Sequence, residues 1–347
     1  MDMLAARLYG KDDLRVERIP VPEIGEEEIL LRVKAAAVCG TDLRMLKNGA
    51  AGVDNDHPLV LAHEFSGVIE KLGARVEGYN VGERVAIAPN IGCGICGFCV
   101  SGRSHHCKKL LAIGIHMDGG FAEFMRIPAR AVHLGNVVPL ADSVSFEAAA
   151  ANEALSCVIN AYERYQVHPG ETVVIIGAGA IGMMHAKLAK MSGAAKVIMN
   201  DLSADRLGEC AAIDPDLITV ADGLADRVAK ETCGEGADVV ITACSAAPAQ
   251  QAAFGLGGID GRINFFGGLP KGKEKVELDT NIIHYKQLTV TGTTRASHDH
   301  YRKGLEFVGT GLVDLDALIT HRFKLEDVKQ AFDNAAAAKG LKQVVIF

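Results

Sequence analysis

One segment limits the possible folds more than any other: residues 171–193, ETVVIIGAGAIGMMHAKLAKMSG. A continuous apolar run is followed at once by Gly177, Gly179 and Gly182 in G-x-G-x-x-G spacing. Apolar residues at helical spacing then run up to Gly193. An apolar run without alternation suits a parallel strand buried on both faces. The first glycine permits a tight turn, the second lets backbone approach a pyrophosphate, and the third lets helix pack on strand. Ala180 and Ile181 complete the loop at the helix mouth, where free N–H groups and the helix dipole favour phosphate. Asp201 follows 24 residues after Gly177, at the end of the next apolar run, KVIMND. A carboxylate there accepts from the adenosine ribose hydroxyls and repels a 2′-phosphate, which favours NAD over NADP. Arg206 nearby weakens that preference, because arginine pairs with the phosphate.

The alternation continues through SADRLGECAA, LITV, GLADRVAKET, ADVVITA, PAQQAAFGLG and GRINFFG. Helical and strand patterns in this order mean βαβ units and a doubly wound parallel sheet, so the fold class is α/β. The first 150 or so residues differ. Short β-branched runs such as ILLRVKAAAV (29–38) and VIEKL (68–72) are punctuated by Pro20, Pro22, Gly25, Gly73, Gly78 and Gly82, which reads as a β-rich unit. After QLTVTG (287–292), two helical stretches precede a final strand, KQVVIF. At roughly 150 residues per domain, 347 residues fit two domains. The expected division is a cofactor domain over 156–292 inserted into a catalytic domain of 1–155 and 293–347.

The formal net charge of −7 argues against a nucleic-acid or anionic-membrane partner. The longest apolar runs have about ten residues, where a membrane span needs about 20. No apolar core follows a basic start, so no secretory signal is expected and the predicted location is cytoplasmic. In that compartment nine cysteines suit metal better than disulfides. Cys93, Cys96, Cys99 and Cys107 are spaced C-x2-C-x2-C-x7-C in a glycine-rich lobe at about 90–110. Four thiolates close a tetrahedral structural zinc shell; an iron–sulfur cluster uses the same donors. Arg103, His105, His106, Lys108 and Lys109 surround the lobe, but no aromatic or basic stripe extends it into a nucleic-acid module.

Cys39 in VCGTD, His63 and Glu64 in LAHEFSG, and Glu153 in ANEALSC each have a plain reading: a core thiol, a loop histidine with its neighbour, a helix N-terminal acid. Together they supply sulfur, nitrogen and oxygen donors, the set of a catalytic zinc with an exchangeable position. Spacing alone does not bring these segments together.

With all these motifs in order, the chain resembles the zinc-containing medium-chain alcohol dehydrogenases over nearly its whole length, nearest the polyol (sorbitol-type) branch. HEFSGVIEKLGARV fits the family's H-E-x2-G-x5-G-x2-V pattern, with Ala62 where glycine usually precedes the histidine. DGGFAEF (118–124) falls in its family place. The resemblance implies a GroES-like β-rich catalytic domain and a Rossmann NAD-binding domain. It implies that Cys39 and His63 ligate the catalytic zinc, with Glu64 and Glu153 completing the shell in alternation with water or substrate. Glu153 stands where ethanol-type members carry cysteine. Thr41 matches the hydroxyl that relays the substrate proton, and Asp42 the carboxylate that orients the zinc-bound histidine. Phe266, Gly267, Gly268 and Thr293 match nicotinamide contacts, and Arg295 a substrate contact. There are departures: Ala154 replaces a proline, Arg44 a histidine that ends the proton relay, and Ala296 an aromatic pocket residue. The implied reaction is reversible NAD-dependent oxidation of a secondary alcohol to its ketone, the alcohol being a polyol or sugar alcohol with or without a phosphate. Zinc would act as Lewis acid, in a site expected between the domains. An L-threonine 3-dehydrogenase-like or short-chain diol activity is the neighbouring alternative; a non-catalytic nucleotide-binding zinc protein is the alternative of another class. The resemblance also implies a homodimer or homotetramer joined through edge strands, with QLTVTG the candidate segment.

Overall fold

The computed structural model describes residues 1–347. The chain divides into two compact units, Met1–Ser156 with Arg295–Phe347, and Cys157–Thr294.

In the second unit six strands pair in parallel. Their order is Ile218–Val220, Lys196–Asn200, Thr172–Ile176, Ala237–Thr242, Gly257–Phe265, Thr289–Gly292. The strand order reverses beside Thr172–Ile176, and ligands of doubly wound sheets bind outside the strand carboxyl ends at such a switch. All of Thr172–Ile176 is buried, as an unalternated apolar run requires. Val174, Ile176, Ile198, Val240 and Ile263 form the core with Phe254 and Leu256 from the helix Ala247–Leu256. Each such side chain contributes about 1.5–3 kcal/mol on burial. The last strand starts at Thr289 rather than Gln287. A short helix without a sequence signal, Asn281–Lys286, ends there with Gln287 in the left-handed region at φ 54°.

In the first unit a seven-stranded sheet runs Val137–Pro139, Arg84–Ile87, Glu64–Leu72, Ile29–Ala37, Lys342–Ile346, Ile319–Lys324, and Phe124–Ile127 also pairs with Ile29–Ala37. Ile29–Ala37 is antiparallel to both of its path neighbours, and Ala37 lies opposite Glu64 on one side and Val344 on the other. That register brings three segments distant in sequence to one end of one sheet. Leu31, Val33, Phe65, Ile69, Val85, Ile87 and Phe121 are buried in its core.

The sequence patterns did not announce the 20-residue helix Phe146–Tyr165. Alanine is the best helix former, and the run Ala148–Ala151 is fully buried. Glu153 therefore sits about two turns inside a helix rather than at its N-terminus, and it is buried.

Candidate metal centres and dinucleotide loop

The strand Ile29–Ala37 leads into Cys39, the N-cap of the helix Gly40–Asn48. Asp42, fully buried, reaches back across this turn. Its Oδ2 accepts from the Cys39 N–H at 2.9 Å, and its Oδ1 accepts from the Ala62 N–H at 3.4 Å. The same Oδ1 lies 3.8 Å from His63 Nδ1. One carboxylate thus ties the Cys39 turn to the His63 turn. Burial raises its pKa above the usual carboxylate range, against the opposing pull of His63 and the two amides. Ala62 holds φ 76°, a left-handed conformation that costs a non-glycine residue about 1–2 kcal/mol. Its carbonyl is wedged so closely that a Cβ on Gly119 would lie 2.1 Å from it.

Donor atoms of Cys39, His63 and Glu64 all lie within 4.8 Å of one another. Glu153 stands outside this trio, but its charge bears on both His63 and Lys342. Burial opposes a charge on His63; the Cys39 sulfur, Asp42 and Glu153 outweigh it and hold the imidazole well above its usual pKa. The S, N and O donors gathered here are those of zinc.

Lys342 was not among the residues singled out from the sequence. It is buried, its Nζ lies 2.5 Å from Glu64 Oε2, and it donates to the Val38 carbonyl at 3.2 Å. Burial disfavours its charge, but Glu64 and Cys39 more than compensate and keep the ammonium above its ordinary pKa. The available signal was a lysine opening a strand that continues into the apolar run Val344–Ile346, since a buried lysine needs a partner. Tyr301 was missed as well. Its phenol is buried without a hydrogen-bond partner, and burial, then the charges of Glu153 and Glu64, raise its pKa.

Thr41 lies on the first turn after Cys39, and its Oγ1 accepts from Arg44 Nη2 at 2.8 Å. A guanidinium only donates, so the Thr41 O–H is left to point elsewhere. Arg295 is exposed and left-handed at φ 59°.

In the four-cysteine lobe all sulfurs lie within 4.8 Å of one another, and none is in a disulfide. Cys96 and Cys99 Sγ are 3.6 Å apart, and Cys93 and Cys99 Sγ 4.0 Å. Zn–S bonds of about 2.3 Å give tetrahedral S···S edges of about 3.8 Å, so the sulfurs stand where a zinc ion needs them. The N–H groups of Ile95 and Cys96 lower the Cys93 thiol to about 6, while burial pushes the Cys99 thiol up to about 11. Gly94 and Gly102, at φ 79° and 75°, let the chain double back.

In the second unit, Gly177 has φ 121°, and a Cβ on Gly182 would sit 1.9 Å from the Gly177 carbonyl. A Cβ on Gly179 would meet only Arg206 Nη1, at 3.8 Å. The loop's second glycine therefore faces open space at the start of the helix Ala180–Met191, as a pyrophosphate requires. Asp201 accepts from the Ala178 and Ser203 N–H groups at 2.8 and 2.9 Å, so its carboxylate is anchored to the glycine loop. The Gly267 N–H donates to Thr242 at 3.0 Å, and Gln250 donates to the Gly267 carbonyl at 2.9 Å. Thr293 Oγ1 is buried without a partner.

Residues 25–139 match the model of the alcohol dehydrogenase GroES-like domain, and residues 180–310 that of the zinc-binding dehydrogenases. An L-threonine 3-dehydrogenase of Rhizobium etli is 35% identical over 350 residues, 99% of each chain. A sorbitol dehydrogenase of Bombyx mori is 32% identical over 349 residues, 98% of this chain and 97% of its own. A zinc-binding dehydrogenase of Sinorhizobium meliloti, solved bound to NADP, is 30% identical with TM-score 0.90 over all of both chains. A short chain alcohol dehydrogenase of E. coli, solved with NADH, is 26% identical with TM-score 0.88, covering 100% of this chain and 99% of that one. The chain belongs to the zinc-containing medium-chain alcohol dehydrogenase family. It is an alcohol-type dehydrogenase on the polyol side of that family, a GroES-like domain joined to a Rossmann domain.

Proposed function

We propose that the protein oxidises a secondary alcohol of the polyol class, with or without a phosphate, to its ketone and passes the hydride to NAD. The observation that carries this is the trio of half-buried Cys39 and buried His63 and Glu64, with donors within 4.8 Å of one another. When bound there, zinc supplies Lewis-acid polarisation of the substrate hydroxyl, and NAD supplies the hydride acceptor.

The chain's own residues do the rest. Cys39 and His63 hold the metal, and the Asp42 carboxylate, 3.8 Å from Nδ1, stands behind the imidazole. Lys342 engages Oε2 of Glu64 and leaves Oε1 for the ion, while Glu153 alternates with water or substrate. Thr41 Oγ1, with one lone pair engaged by Arg44, takes the substrate proton on the other and passes its own toward solvent. Gly177, Gly179 and Gly182 take the pyrophosphate, and Asp201 selects NAD by repelling a 2′-phosphate. Arg295 contacts the substrate oxygens.

A second reading, oxidation of L-threonine, is favoured by the 35% identity to an L-threonine 3-dehydrogenase. A panel of D-sorbitol, a polyol phosphate, 2,3-butanediol and L-threonine with NAD and NADP, followed by absorbance of the reduced cofactor, decides between them. Turnover of L-threonine alone would replace the polyol reading. The reading includes a cytoplasmic enzyme that pairs through Thr289–Gly292, the free edge of the parallel sheet. No helix is long and apolar enough to cross a membrane.

A further inference from the structure

We infer that His185 is a positioning residue for the nicotinamide half of the cofactor, clamped by Tyr165 and bracing Phe266, whose turn receives the ring. This rests on the proposed NAD-dependent reading, in which residues 266–268 contact the nicotinamide as the family resemblance implies.

His185 lies on the helix that opens at the glycine loop and is fully buried. Its Nδ1 is 2.9 Å from the hydroxyl of Tyr165, which is also fully buried. Burial pushes the imidazole down to about 3, so the ring is neutral at any ordinary pH. One hydrogen bond joins the phenol and Nδ1. Nε2 has no hydrogen-bond partner. The imidazole meets Phe266 edge to face, with centroids 4.9 Å apart and planes at 88°. Edge-to-face packing of this kind is a favoured geometry for two aromatic rings. An aliphatic side chain would fill the same volume without burying a polar group, so the histidine's distinctive contribution is its direction.

The turn that carries Phe266 is itself closely held. Gly267 is fixed at N–H and carbonyl by Thr242 and Gln250, and a Cβ on it would lie 2.2 Å from the Cys244 carbonyl. The recorded ring contact of Phe266 is with His185.

The test compares NAD with ADP-ribose, which keeps the adenosine and both phosphates but lacks nicotinamide. In His185→Leu the NAD dissociation constant should rise about fivefold to tenfold, the size of one lost aromatic contact, while ADP-ribose stays within about twofold. Tyr165→Phe keeps the ring volume but frees the imidazole, and should move NAD affinity in the same direction even if His185→Leu folds poorly. Equal losses for both ligands, or no loss of NAD affinity in either variant, would overturn the inference. Gly268→Val separates the underlying reading, because an added Cβ there meets no protein atom within 4 Å. If it leaves NAD affinity unchanged, the turn is not the nicotinamide site. If it weakens NAD while His185→Leu and Tyr165→Phe do not, His185 alone is refuted.

Discussion

Ala62 carries the most direct residue-scale test. It holds a left-handed backbone beside His63, where glycine would rest without strain. Ala62→Gly should stabilise the protein by about 1 kcal/mol, readable as a raised denaturation midpoint. Lys342 gives the opposite sign. Lys342→Met strands the Glu64 carboxylate and should destabilise the metal-free protein by about 3–5 kcal/mol, with much of the loss recovered in Glu64→Gln/Lys342→Met. No recovery would mean that Lys342 acts by packing alone. His185 sets a pH dependence. Its pKa falls from 6.5 to about 3 on folding, so the unfolded chain binds the extra proton. This contribution is complete above about pH 6.5 and is lost by about 1.4 kcal/mol per unit on the way down to about pH 3. Urea titrations at neutral and mildly acidic pH should show a shallower decline in His185→Leu. Cys39, His63 and Glu64 could be singled out from sequence because their residue types are metal donors. Lys342 could not, because its role exists only through a sheet register joining residues 278 positions apart.

At the scale of elements, legibility followed locality. The glycine loop imposes its constraints within a few residues: the 1.9 Å approach at Gly182 is a contact with Gly177. The cysteine lobe is equally local, with its ligands inside 15 residues. The helix Phe146–Tyr165 was opaque because its alanine run has no strong apolar stripe, and tertiary burial supplies what periodicity does not. The lobe's closed shell predicts a structural effect. Cys99→Ser should release the lobe's zinc and lower the melting temperature, while NAD binding, seated in the other unit, persists. An unchanged melting temperature would show that the lobe folds without metal.

For the molecule as a whole, two textures in one chain, alternating apolar runs with helices against short punctuated strands, were visible without coordinates. The placement of the C-terminal strand Lys342–Ile346 in the same sheet as Ile29–Ala37 was not, because strand pairing leaves no local mark. The free edge Thr289–Gly292, with Val290 partly exposed, makes assembly testable. Under the proposed pairing into a homodimer or homotetramer, Val290→Lys should shift sedimentation to a smaller species, and an unchanged species would place the interface elsewhere. The central claim, an open zinc site that performs NAD-linked alcohol oxidation, is tested most directly by metal content and turnover in Cys39→Ser. Zinc per chain should fall from two to one, and reduction of NAD by the best alcohol of the panel should be lost while NAD still binds. Full turnover in Cys39→Ser would contradict the account.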